Sequence, residues 1–234
     1  FLPPGNVSKA LSLVKETAKN DPVNVATRGL VAVASLTQGR VLRKRDPRAA
    51  ARYFREAIAI QEDLTRAYPV DLEFQWNAAF QRTCLGEVLR DLGRYQEALD
   101  VLRPALASQE KFLQTTILAQ AGAIDNLLVT ADLYHLTGDG LRARELYEQA
   151  LGRAVSLWKG HPSDLRTNYE LGACYEGLGK WAGRRGEWRE AQQWYGKSAD
   201  LWKSWPDRGV SSDYDRKHAA QAVRAADQAR QRAR

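Results

Sequence analysis

Gly138 to Leu151 reads Gly-Asp-Gly-Leu-Arg-Ala-Arg-Glu-Leu-Tyr-Glu-Gln-Ala-Leu. A glycine turn opens a helix that places Ala143, Tyr147 and Ala150 on one face, 5, 9 and 12 positions after Gly138. Two small residues let a neighbouring helix approach closely while the ring between them fills the gap. The frame recurs three times. Gly93 is followed by Ala98, Leu102 and Ala105, Gly186 by Ala191, Tyr195 and Ser198, and Arg45 by Ala50, Phe54 and Ala57. The anchors Arg45, Gly93, Gly138 and Gly186 stand 48, 45 and 48 residues apart. A fixed period of roughly 20–50 residues is the signature of a solenoid.

A hydrophobic content of 44% with 27% charged residues is ordinary for a folded chain. A repeat array has no single core, so the length of 234 residues does not convert into a domain count. The longest apolar run, Gly29–Leu36, stops far short of the roughly 18 residues a membrane helix needs, and no membrane insertion is expected. The chain starts Phe-Leu-Pro-Pro-Gly and contains no Met, which reads as a fragment of a longer protein with its targeting signals elsewhere. The compartment is open: the cytoplasm is favoured, with an extracytoplasmic place if the parent has a membrane anchor. Cys84 and Cys174 sit among apolar neighbours on different repeats and read as buried thiols, without metal or disulfide spacing. A net charge of +7 points to acidic partners without specifying any.

Taken in order, residues 6–20 form a helix with Val7, Ala10, Leu11, Val14 and Ala18 on one stripe. Ala10 lies 12 positions before Pro22, as Ala57 lies before Pro69 and Ala150 before Pro162, so 6–20 reads as the second helix of a truncated repeat. Each proline stops a helix, and Asn24, Asp71 or Asp164 two residues later caps the next. Repeat one is 24–67: a first helix to Arg45 using Leu30, Val33, Leu36 and Val41, then a second helix from Pro47 using Ala50, Phe54, Ala57, Ile60 and Leu64. Repeat two is 71–116. Pro104 stands inside its second helix, where a missing N–H should kink it, and Thr115-Thr116 replaces the usual stop proline. Repeats three and four are 117–160 and 163–205, and 211–232 is an Ala- and Arg-rich capping helix with Tyr214 and Val223 to bury.

The small–aromatic–small frame resembles that of the tetratricopeptide repeat (TPR). Leu85-Gly86 and Leu178-Gly179 match the Leu-Gly of the family's first helix, and Tyr134 its following aromatic. Repeats one and three have Gln38 and Ala131 in the glycine's place. The family repeat is 34 residues; about seven extra in each helix, nearly two turns, keep the buried face in register. The resemblance implies an all-α right-handed superhelix, an α-solenoid of antiparallel helix pairs, spanning 1–234. Long repeats with Pro-x-Asn/Asp junctions also resemble those attached to bacterial serine/threonine kinases and other signalling proteins.

No phosphate loop, zinc spacing or nucleophile elbow is present, so neither an enzyme nor a metal or cofactor is expected. His135, His161 and His218 are isolated in sequence, and six of seven Trp lie between Trp158 and Trp205, where core and cap packing is the first reading. Trp194, beside Tyr195, reads as outward-facing and able to anchor a partner.

In repeat two, Arg82, Leu85, Gly86 and Leu89 take the packing positions of the first helix. The adjacent stripe should face a concave groove: Phe80, Thr83, Glu87 and Arg90; then Asp125, Leu128, Asp132 and His135; then Ala173, Glu176, Lys180 and Arg184. That mixture of acids, bases and apolar groups suits a mixed-charge partner segment. A second candidate is a basic edge at the turns. There Arg48, Arg94, Arg142 and Arg189 sit in first helical turns, against the dipole. The expected function is protein–protein interaction, with a protein or peptide in the groove. The alternatives are a basic edge that binds nucleic acid or another anionic surface, or the regulatory arm of an attached kinase. Nucleic acid is disfavoured, because acids interleave the edge and exposed rings for base stacking are lacking.

Overall fold

The computed structural model describes residues 4–113, 116–204 and 213–233. Among them are ten α-helices and no strand: α1 (Pro4–Asn20), α2 (Val25–Leu42), α3 (Pro47–Ala67), α4 (Leu72–Asp91), α5 (Tyr95–Gln109), α6 (Ile117–Leu136), α7 (Gly140–Gly160), α8 (Leu165–Arg184), α9 (Trp188–Lys203) and α10 (Asp213–Arg232). From α1 to α5 and from α6 to α10 consecutive helices pack on one another, and α6 also packs on α8, two elements along. This is the all-α solenoid class expected from the repeat frame. The chain forms two compact units, Phe1–Phe112 with α1–α5 and Leu113–Arg234 with α6–α10. Thr115, Trp205 and the side chain of Tyr214 lie outside what the structure describes.

The helix boundaries follow from capping chemistry. Asn24, Asp71 and Asp164 each accept a backbone N–H of the first turn of α2, α4 and α8, satisfying one of the donors a helix start leaves orphaned. Thr116 does the same for α6 where no proline marks the junction. Asp46 caps α3 and places Pro47 at its first position. The twelve frame positions of the second helices are buried except Tyr195, which is half-buried.

Two expectations in the first unit need correction. Ala10 on α1 is exposed, and only Val7 and Leu11 of that stripe are fully buried. On α2 the buried stripe is Val31, Ala32, Ser35, Gln38 and Gly39, while Leu30 is 57% and Val33 51% exposed. Small residues face inward because α3 comes close: a Cβ on Gly39 would stand 2.6 Å from the Phe54 ring. Gly86 stands in the same relation to Leu102, and Gly179 to Tyr195. So repeat one does have the close-approach glycine; it is Gly39, one place after Gln38.

The slip has a backbone cause. In the other three repeats the turn contains a left-handed glycine, Gly93, Gly138 or Gly186. It is closed by an N–H to the carbonyl five residues back: Arg94 to Leu89, Asp139 to Tyr134, Glu187 to Ala182. In the first, Asp46 N–H reaches only four residues back, to Leu42, and among the described residues no non-glycine has positive φ. The turn has lost one residue, the left-handed glycine, and every first-helix position before it moves by one.

Pro104 sits inside α5, where it leaves the Asp100 carbonyl without its helical donor. The α-helix runs 15 residues, against 21 for α3 and α7, and finishes as a 3₁₀ turn over Glu110–Phe112. Buried Phe112 and Gln109, whose amide donates to the Thr83 hydroxyl at 3.3 Å, hold the end in place. Amides of 105–112 should exchange at least about tenfold faster than those of 147–157. Hydrogen exchange resolved by residue measures this, and equal protection would show that Pro104 does not weaken α5.

Candidate functional site

The expected groove positions divide by burial. In the first unit Thr83 is only 2% exposed and bonded within the helix pair, so it faces no groove and that expectation is corrected. Phe80 is half-buried and stacks on Trp76 at 5.5 Å. Glu87 accepts from Arg43, the residue that caps α2, at 2.6 Å, and Arg43 also reaches Asp91, which pairs with Arg90. These ions tie α2 to α4, the first helices of successive repeats. Arg82 pairs with Glu62 of α3.

In the second unit Leu128 packs on the cluster of Ala131, Ala143, Tyr147, Leu178 and Trp181. Asp132 accepts the Tyr147 hydroxyl, which makes it a packing partner more than a free groove acid. Burial, then the charge of Arg184, holds the His135 imidazole below its ordinary 6.5; Asp132 opposes this and Arg185 adds to it. Lys180, Arg184 and Ala173 are exposed.

Three of the groove positions, Asp125, Ala173 and Glu176, do come together. With Arg166, Tyr169, Glu170, Trp202 and His218 they line a cavity of about 370 Å³. Its walls come from α6, α8 and α10, with Trp202 of α9 between them. Arg166 bridges Asp125 of α6 and Glu170, one turn on in α8 at 2.6 Å. Glu170 is only 3% exposed. Trp202 meets Tyr169 edge-on at 5.0 Å and stacks with His218 at 5.6 Å. Glu176 accepts the Ser198 hydroxyl at 3.3 Å. Desolvation, then the negative charges of Glu170 and Asp125, holds the neighbouring Cys174 thiol well above its ordinary value. That thiol is therefore protonated and inert, a packing group as the sequence suggested.

The sequence reading missed five of these eight lining residues. Tyr169 and Glu170 lie four and three positions before Ala173 and Arg166 seven before, the spacings that share a helix face. Following that face back from Ala173 would have found them. Trp202 and His218 arrive from other helices, and only the fold brings them in.

The basic-edge residues are distributed among local partners. Arg94 pairs with Glu97 three residues on, and the Arg142 guanidinium lies 4.6 Å over the Tyr134 ring. Arg48 is exposed. Arg189 is exposed beside Lys197 and Arg230 along an open hollow between α9 and α10. Trp194 is half-buried, stacked on Tyr175 at 6.0 Å with Lys197 4.2 Å over its ring, and it does not project as an anchor. Trp158 donates to Asn168 of α8, bridging the end of α7 to the next helix. No described helix is long and apolar enough to cross a membrane.

The chain is similar to proteins of known kind. A family model described as tetratricopeptide repeat matches residues 81–113, the second half of α4 through α5. The photosystem I assembly protein Ycf3 of Prochlorococcus marinus, strain NATL1A, is 26% identical over 141 residues, 60% of this chain and 72% of that protein. Its counterpart in strain NATL2A matches equally. Among solved structures, BtubC from P. vanneervenii superposes with a TM-score of 0.61 at 16% identity, over 98% of this chain and 89% of its own. A monomeric mutant of IFIT1, solved with Gppp-AAAA, gives 0.56 at 14% identity over 97% of this chain and 45% of that one. The two structures speak to the fold alone. The repeat model and the likeness to an assembly protein support a role in protein–protein interaction or assembly. The chain carries a tetratricopeptide repeat at residues 81–113, within an all-α array of helix pairs.

Proposed function

We propose that the chain captures a segment of a partner protein on the face made by α6, α8 and α10. The carrying observation is the cavity itself: three successive first-position helices converge on one concave, chemically mixed site. Concavity with a few convergent polar groups on an apolar wall is what binding sites share. Within the cavity Asp125, Glu170 and Glu176 stand against Arg166, beside the rings of Tyr169, Trp202 and His218, which suits a mixed-charge segment. The coarser role in assembly rests on the repeat and on the likeness to an assembly protein.

Site-specific photo-cross-linking tests the address. A cross-linkable side chain at Ala173, on the cavity rim, should trap a discrete protein from native extract. The same group at Gly152, exposed on α7 with nothing within 4 Å, should not. Trapping from Arg48 or Arg189 but not from Ala173 would move the binding surface to the basic edge.

A further inference from the structure

Resting on that reading, we propose that the cavity between α6, α8 and α10 is a pocket for a lysine or arginine side chain of the partner segment. Its size fits one such head group: about 370 Å³ is near the lower end of sites that enclose a small ligand, roughly 300–1,000 Å³. Its charge opposes that of the whole chain. The protein carries +7, yet the lining sets three carboxylates, Asp125, Glu170 and Glu176, against one guanidinium, Arg166. An anionic guest would meet carboxylates in a half-desolvated site and is rejected there, as specificity through repulsion requires.

The rings supply the second half of the recognition. Tyr169 and Trp202 present an edge-to-face pair, with His218 stacked on the indole. Trp202 is itself buried and backs the wall, so a guest cation meets the half-buried Tyr169 ring, whose quadrupole attracts it more strongly once desolvated. Aromatic walls with carboxylates behind them are selective for a cation that has an apolar stem, which is the construction of Lys and Arg. The site already holds one such group of its own. Arg166 lies between Asp125 and Glu170, so those two acids are occupied and oriented. Glu176, which accepts the Ser198 hydroxyl at 3.3 Å, is the carboxylate positioned to meet a guest.

The test uses the full chain and four blocked pentapeptides, Ala-Ala-X-Ala-Ala with X as Lys, Arg, Gln or Glu. The readout is the indole N–H resonance of Trp202, assigned with W202F. The Lys and Arg peptides should shift it saturably, and the Gln and Glu peptides should not. E176Q keeps an acceptor for Ser198 and should weaken the Lys peptide about tenfold, the effect of losing one charge-assisted contact. A173R, which adds a cation at the rim without removing a fold contact, should abolish the shift with unfolding unchanged. Equal responses to Lys and Glu peptides, or a Lys response indifferent to both variants, would overturn the proposal. Cross-linking from Ala173 that persists while no basic peptide binds would overturn the pocket and leave the groove standing. A Trp202 response without any cross-linking from Ala173 would overturn the groove as the partner site.

Discussion

Tyr147→Ala should lower the stability of the chain by about 3–5 kcal/mol, the range for deleting a large buried ring. Tyr147 is 1% exposed, flanked by Ala143 and Ala150 on its own helix. It packs with Ala131, Leu178, Trp181 and Ala182, residues of α6 and α8. It is thus shared by two interfaces, α6–α7 and α7–α8. Its ring lies so close to α8 that a Cβ on Gly177 would be 2.7 Å from Cε1. Backbone cannot collapse into the space the ring leaves, because α7 is held by its neighbours on both sides. Tyr147→Phe isolates the hydrogen bond to Asp132 and should cost only about 1 kcal/mol, since the half-exposed carboxylate can turn to water. Urea unfolding with an unchanged slope measures both. The pair with Gly177→Ala provides a sharper check: it should destabilise the natural chain and be tolerated in the Tyr147→Ala background. A Tyr147→Ala loss under about 1 kcal/mol would mean that the ring is not the hub of these interfaces.

Gly86→Ala and Gly152→Ala should have opposite signs. Both glycines lie inside helices, where alanine is favoured by roughly 1 kcal/mol. At Gly152 nothing lies within 4 Å of the new methyl, so the helix term acts alone and the chain gains about 0.5–1 kcal/mol. At Gly86 the methyl would stand 2.6 Å from both Cγ and Cδ2 of Leu102, a side chain with no exposure and no room to turn. Overpacking of that kind costs about 1–3 kcal/mol, which outweighs the helix gain. Thermal melts of the two variants side by side decide it. A stabilised Gly86→Ala would show that α4 and α5 can separate freely at that contact.

Much of the fold was legible because its signals are local. Asn24, Asp71 and Asp164 cap within three residues, and the frame around Phe54, Leu102, Tyr147 and Tyr195 is complete within about two turns of helix. The α2 stripe was misread because Leu30 and Val33 are larger than Ala32 and Gly39, and size was taken for burial. At a tight helix–helix contact the small residue is the buried one. The cavity was half legible for the same reason of range. Asp125, Ala173 and Glu176 follow from repeat phase, but Trp202 and His218 come from other helices. Thr83 failed because repeat phase gives the stripe and not the depth: α5 ends early, and Gln109 turns in against the hydroxyl.

The shortened turn before α3 has a genetic consequence. The missing residue lies in the turn, so the helices on either side keep their faces and only the count between them changes. Inserting glycine after Arg45 would lengthen the Gly39–Phe54 spacing from 15 to 16 residues, the spacing that separates Gly86 from Leu102 and Gly179 from Tyr195, with Gly39 still against the ring. Moving the glycine from 39 to 38 alone would remove the opening that the ring now fills. A lineage can therefore gain or lose the turn glycine in one step, while the small residue opposite the ring has to stay where it is.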